Sequence, residues 1–277
     1  MTRAIRRFAI MAGLAAATML AGCSDDDDLV DDTRPAEAIF AEASGLARDG
    51  DNIAAAEKFN EVERLYPYSA LAKSAMIRAA ESYYRGREYD LARLAAQRFL
   101  DFYPSDAEAP YAQYLSALTY YDQISDVGRD QGDTIRARQS LSEVIERYPN
   151  SVFARDAKLK RDLTLDNLAG KEMEIGRYYL ARGHYTAAIN RFRTVVEQYN
   201  TTSQTPEALH RLVESYLSLG IQNEAQNAAA VLGYNFPGSD WYVESYALLT
   251  GERIGPEIDP ESWLSRNFRK IVYGDQI

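Results

Sequence analysis

The sequence predicts an all-α protein, a right-handed α-solenoid of about five helical hairpins with a C-terminal capping extension. Three patterns predict it. Apolar residues advance by three and four positions rather than two, as one face of a helix requires. From Tyr185 they fall at Ala188, Ile189, Phe192, Val195, Val196 and Tyr199, with Asn190, Arg191, Arg193, Thr194, Glu197 and Gln198 off the stripe. An aromatic residue precedes a stop five times, at Tyr66-Pro67, Tyr103-Pro104, Tyr148-Pro149, Tyr199-Asn200 and Phe236-Pro237. Proline lacks an N–H and restricts φ, so a helix ends there and the aromatic can pack back over it. Finally, Ala55, Ala92, Ala188 and Ala225 occupy the same slot ahead of their stops, where a small side chain lets two helices cross closely.

Taken in order, the stop at Pro67 places Ala43, Leu46, Ala55 and Phe59 in the apolar slots of a first helical pair, and Pro104 places Met76, Ala80, Tyr83 and Ala92 in those of a second. Asn200 does the same for Ile175, Gly176, Tyr179, Ala188 and Phe192, and Pro237 for Leu212, Tyr216, Ala225 and Leu232. These slots resemble the tetratricopeptide repeat, whose period is about 34 residues. The stops are 37, 45, 51 and 37 residues apart, so the middle is irregular. A polar stretch at 125–134 lengthens the third unit, and a long helix near 154–180 serves as connector and as first helix of the fourth. The expected organisation is units one and two at 36–106, an irregular third unit with its connector at 107–168, units four and five at 169–239, and a cap with extension at 240–277. Trp241 to Leu249 fits a capping helix, and the extension carries a short amphipathic piece, Trp263, Leu264, Phe268, Ile271 and Val272. Each pair can bury its apolar face only on its neighbours, which favours one solenoid over two globular domains.

Residues 1–22 read as a signal peptide. Arg3, Arg6 and Arg7 precede an uncharged apolar run of 13 residues, 8–20. That length suits a signal peptide and falls short of the roughly 20 residues of a spanning helix. The run ends in Leu20-Ala21-Gly22-Cys23, which resembles the lipobox of bacterial lipoproteins, and the only cysteine in the chain stands where diacylglyceryl and N-acyl chains are attached. The mature chain then carries 28 basic and 41 acidic residues, a formal −13. Several acyl chains hold a protein far more firmly than one. Residues 23–35, with six aspartates, form an acidic tether between lipid and fold. They lack the glycine-turned, alternating ligands of a calcium loop.

The remaining chemistry is sparse. The balance of 31 basic against 41 acidic residues disfavours nucleic acid, and one cysteine makes neither an internal disulfide nor a zinc-thiolate site. His-Glu-x-x-His, Gly-x-Ser-x-Gly and phosphate-loop motifs are absent, so the expectation is a non-catalytic protein without metal or cofactor. Two histidines occur: His184 falls in a turn, His210 on a first helix, and both are expected at helix ends or in solvent. Stacked hairpins present a concave groove lined by first helices. Phe40, Ile77, Tyr84, Tyr111 and Tyr114 are its candidate lining, because rigid aromatics anchor bound peptides, although for each taken singly a place in the core is the preferred reading.

Segments along nearly the whole mature chain resemble the BamD family, the tetratricopeptide lipoproteins of the outer-membrane β-barrel assembly (BAM) machine. They are Leu20-Ala21-Gly22-Cys23, Arg64-Leu65-Tyr66-Pro67-Tyr68-Ser69, Ala80-Glu81-Ser82-Tyr83-Tyr84, the run Tyr111-Ala112-Gln113-Tyr114-Leu115-Ser116-Ala117-Leu118-Thr119, Arg147-Tyr148-Pro149-Asn150-Ser151, and Arg177-Tyr178-Tyr179 with Arg182-Gly183. The resemblance implies a scaffold anchored by lipid to the outer membrane and facing the periplasm. It implies POTRA domains of the barrel subunit BamA on the C-terminal units, other BAM lipoproteins as neighbours, and C-terminal signals of unfolded β-barrel precursors on the N-terminal units, around Tyr68, Tyr84 and Phe40. Asn190 and Arg191 match the family's pattern on the off-core face of unit four, Thr194 one turn on is a further candidate contact, and Arg191 is the expected principal scaffold contact. Departures are the shorter 125–134 loop, the longer tail and Asn200 in place of a stop proline. An adaptor for peptidoglycan hydrolases, also built from such repeats, is the competing reading.

Overall fold

The computed structural model describes residues 34–250; Cys23, the tether and the extension at 251–277 lie outside the described residues. All regular structure among the described residues is helical: α1 (Ala36–Asp49), α2 (Asn52–Leu65), α3 (Ala70–Arg85), α4 (Tyr89–Phe102), α5 (Ala109–Tyr121), α6 (Gly132–Arg147), α7 (Val152–Ala181), α8 (Tyr185–Gln198), α9 (Thr205–Ser218), α10 (Gln222–Asn235) and α11 (Asp240–Leu249). Five hairpins, α1/α2 to α9/α10, stack in chain order and α11 closes the last against α9 and α10. The described residues form an all-α tetratricopeptide solenoid.

Four of the five stops share one backbone conformation. Tyr66, Tyr103, Tyr148 and Phe236 end their helices with φ between −130° and −133° and ψ between 53° and 55°. Each donates its N–H to the carbonyl four residues back, and its own carbonyl accepts from the residue three further on. Tyr199 has the same bonds but a ψ of 31°. The proline ring forbids smaller ψ values to the residue before it; Asn200 lifts that restriction, which is the physical content of the departure. After three of the stops a serine starts the next helix, Ser69, Ser151 and Ser239 each accepting a backbone N–H inside the first turn.

Within the hairpins the chain reverses through a left-handed residue two positions before the second helix: Gly50, Gly183 and Gly220, with φ of 74° to 87°. In unit two this place is held by Arg87, at φ 62°.

The crossing alanines Ala55, Ala92, Ala188 and Ala225 are fully buried, and Phe59, Phe99, Phe192 and Leu232 fill the space beside them. Each such large side chain contributes about 2–3 kcal/mol by leaving water. The α8 stripe buries Ala188, Ile189, Phe192, Val195 and Val196, leaving Asn190 exposed and Arg191 half-buried. Successive first helices touch each other, α1 to α3, α3 to α5, α5 to α7 and α7 to α9, besides packing on their own partners. They therefore form the inner, concave side. The irregular middle arises from the 122–131 connection and from α7, 30 residues long, whose first half packs on α6 and second half on α8.

Candidate functional site

Two adjoining hollows open on the concave side of the N-terminal units. The first, about 440 Å³, lies between α1 and α3; Phe40 and Phe59 form its floor, meeting edge to face at 5.2 Å, and Arg48, Arg78 and Arg85 its rim. The second, about 400 Å³, lies between α3 and α5 and reaches the start of α7, with Ile77, Tyr111 and Phe153 as its apolar wall. Tyr111 and Phe153 stand 5.3 Å apart. Arg78 and Glu81 belong to both hollows and form the ridge between them.

Helical spacing makes this arrangement. Arg78, Glu81 and Arg85 follow one another at i, i+3 and i+7 on α3, so they share a face. Arg78 Nη1 donates to Glu81 Oε2 at 3.2 Å and Arg85 Nη2 to Glu81 Oε1 at 2.6 Å. Burial in the hollow pushes the Tyr111 hydroxyl up to about 12, with the Glu81 charge adding to the effect, so it stays a neutral donor.

Of the candidates read from sequence, Phe40, Ile77 and Tyr111 line the hollows, Ile77 with only 2% of its surface exposed. Tyr84 and Tyr114 do not line them. Their hydroxyls are taken by carboxylates, Tyr84 donating to Asp122 at 2.5 Å and Tyr114 to Asp156, which also accepts from Lys160. Both tyrosines titrate far above their ordinary range, first because they are buried and next because those carboxylates accept hydrogen bonds from their neutral hydroxyls. The Tyr114 ring stacks on Phe153 at 5.4 Å. Tyr68 stands fully exposed in the turn between α2 and α3, outside both hollows. Sequence reasoning missed Arg48, Arg78, Glu81, Arg85 and Phe153. The i, i+3, i+7 charge row on α3 was the available signal; the contribution of Phe153 depends on the bend into α7, which no local pattern announces.

On the C-terminal units Arg191 crosses from α8 to α7 and donates to Glu172 at 3.0 Å, with 42% of its side chain exposed. Thr194 returns its hydroxyl to the Asn190 carbonyl at 3.0 Å. The guanidinium is thus held by its own chain and still presents an open edge. His184 is exposed at the start of α8, whereas His210 corrects the expectation of a solvent or helix-end histidine: its side chain is 3% exposed. It lies between α9 and α11 because α11 covers it, bonding Ser245 and stacking on Trp241 at 5.1 Å.

A further hollow of about 470 Å³ over the middle of α7, walled by Tyr121, Ile124, Val127 and Leu163, has no cation in its lining; its one carboxylate, Asp166, accepts from the Ser203 N–H and hydroxyl. Among the described residues no group of three or more His, Cys, Asp or Glu side chains is placed to hold a metal ion, and no helix is long and apolar enough to cross a membrane.

Residues 32–232 match the model of the YfiO family, described as outer membrane lipoprotein. A Caulobacter vibrioides protein named outer membrane protein assembly factor BamD is 44% identical over 253 residues, 90% of this chain and 83% of that protein. Proteins of the same name from Rickettsia prowazekii and from Neisseria meningitidis serogroup A are 40% and 29% identical, over 83% and 81% of this chain and 92% and 88% of theirs. A lipobox-like leader, five tetratricopeptide hairpins and identity at this level over most of both chains lead to one conclusion: the chain belongs to the BamD (YfiO) family of outer membrane lipoproteins.

Proposed function

We propose that this protein is a non-catalytic subunit of the outer-membrane β-barrel assembly machine, held on the periplasmic side of the outer membrane by lipid on Cys23. Its concave N-terminal units receive the C-terminal signals of unfolded β-barrel precursors. Its C-terminal units, through Arg191 with Asn190 and Thr194, carry the POTRA domains of the barrel subunit BamA. No resident cofactor is required. The observation that carries the reading is the pair of aromatic-floored hollows on a continuous row of first helices, in a chain whose relatives are assembly factors. An extended segment ending in an aromatic needs an apolar slot with a polar rim, and both hollows offer that combination.

The test is co-purification of the intact lipoprotein from detergent-solubilised envelopes. Recovery of a POTRA-bearing barrel protein is expected. Recovery of peptidoglycan hydrolases without any barrel protein would replace this reading by that of a hydrolase adaptor.

A further inference from the structure

Among the described residues the three most exposed large apolar side chains are Tyr68, Val152 and Phe102, at 101%, 79% and 67%. They do not scatter. Tyr68 lies in the turn from α2 to α3, Phe102 closes α4 before the turn into α5, and Val152 opens α7 after the turn from α6. Neighbouring helices of a solenoid run antiparallel, so turns between hairpins gather on one edge. Turns within hairpins, such as those at Gly50, Arg87, Gly183 and Gly220, gather on the other. Bonds between repeats tie the first edge together: Lys73 near the start of α3 donates to Asp106 in the next turn at 2.8 Å, and Arg147 at the end of α6 donates to Gln113 in the first half of α5 at 3.2 Å.

The chain enters the fold on this same edge. Helix α1 begins at Ala36, and the Tyr66 hydroxyl at the first stop donates to the Arg34 carbonyl at 2.6 Å. Arg34 stands eleven positions after Cys23, at most about 40 Å of extended chain. A surface that holds Cys23 is therefore always within that distance of the edge. Single apolar side chains on a surface are ordinary, but here the three most exposed ones occupy successive turns beside the point of anchorage. The formal charge of −10 opposes attraction to anionic lipid, so a hold on the membrane is apolar rather than ionic. Aromatic rings suit that role because they settle at the interface between headgroups and acyl chains. Three partly inserted side chains bind weakly alone; a short tether raises the effective concentration of the surface to about the millimolar range, where weak contacts are populated.

We propose that the edge formed by the first three turns between hairpins rests on the membrane, with Tyr68, Phe102 and Val152 in the interfacial layer of the leaflet that holds the lipid. The assignment rests on lipid attachment at Cys23. It stands α1 to α6 on end over the bilayer, so that the concave groove opens along the membrane plane rather than towards or away from it.

The experiment uses the full mature lipoprotein in vesicles of phosphatidylethanolamine and phosphatidylglycerol. A polarity-sensitive fluorophore is placed on a cysteine introduced by Ser105→Cys on this edge or by Arg129→Cys on the opposite one, both exposed positions. The acylated Cys23 has no free thiol to compete for the label. The quencher is a lipid with a nitroxide high on its acyl chain. The probe at 105 is expected to shift to the blue and to be quenched, alike at low and high salt, while the probe at 129 reads water. Tyr68→Ser/Phe102→Ser/Val152→Ser is expected to abolish the shift and the quenching at 105 while the protein still sediments with the vesicles. Its helicity and melting serve as the folding control. Quenching that persists in this triple variant, or that is equal at 105 and 129, overturns the assignment. A sedimenting protein with neither probe quenched also overturns it and leaves lipid attachment standing. Shielding of the probe at 105 only in the co-purified complex gives the edge to a protein partner instead. Failure to sediment removes lipid attachment and the membrane edge together.

Discussion

Gly176 on α7 lies flat against the ring of Phe192 on α8: a β-carbon at Gly176 would stand 2.4 Å from Cε1 and 2.8 Å from Cδ1 of that ring. Phe192 is fully buried among Met173, Val196 and Leu212, so its ring has nowhere to move. Gly176→Ala is expected to lower stability by about 1–3 kcal/mol, the usual cost of overpacking. Urea unfolding measures it, and adding Phe192→Leu should make the alanine less harmful than it is alone; a purely additive double variant would show that the contact is not the cause.

His210 Nδ1 lies 2.8 Å from Ser245 Oγ, which joins α9 to the capping helix. Burial holds this histidine below its ordinary value of about 6.5, against the pull of Glu214, Glu244 and Glu207 and with the help of Arg211. The unfolded chain therefore binds the proton more readily, so the contribution of His210 is present above about pH 6.5 and lost as pH falls below it. The melting temperature is expected to drop between pH 7.5 and pH 5.5, and His210→Gln should flatten that dependence. Asp106 and Asp156, held below the usual carboxylate range chiefly by hydrogen bonds from Lys73 and Lys160, keep their charge throughout this window and do not confound it.

Arg87 occupies the left-handed turn position that glycine fills in three sister hairpins. A side chain there strains the backbone by about 1–2 kcal/mol, partly offset by the greater freedom glycine gives the unfolded chain. Arg87→Gly is expected to raise stability by up to about 1 kcal/mol. Denaturant titration decides it: a loss would mean that the arginine side chain stabilises the turn by more than its backbone costs.

Arg191 and Glu172 form a partly exposed pair whose own contribution to folding is about 0–1 kcal/mol. Arg191→Glu should therefore leave helicity unchanged and move the melting point little, and on the function proposed above it should weaken recovery of the barrel subunit. The swap Arg191→Glu/Glu172→Arg restores the internal pair but not the outward charge at position 191. It should bind as poorly as the single variant; recovery of binding by the swap would assign Arg191 a positioning role alone.

Much of the fold can be read along the chain because each repeat is a local unit. The stripe on α8, the crossing alanines and the aromatic stops depend on residues within about one helical pair of each other, so pattern and propensity suffice. The groove is only partly legible. Phe40, Ile77 and Tyr111 show as apolar residues on first helices, but Tyr84 and Tyr114 look equivalent to them until Asp122 and Asp156, 38 and 42 residues away, take their hydroxyls.

The sequence by itself determined the hairpins, their limits and the face that each helix buries, since these follow from spacing, turn residues and charge close in the chain. Tertiary structure alone decided which side chains meet. Curvature brings α1 against α3 and α3 against α5, setting Arg78, Glu81 and Arg85 over the two phenyl rings in one hollow and Phe153 beside Tyr111 in the next. The cap turns His210 from a surface residue into a buried one. Such juxtapositions depend on the angle at which successive hairpins stack, a quantity set by the summed packing of many side chains and written in no single stretch of sequence.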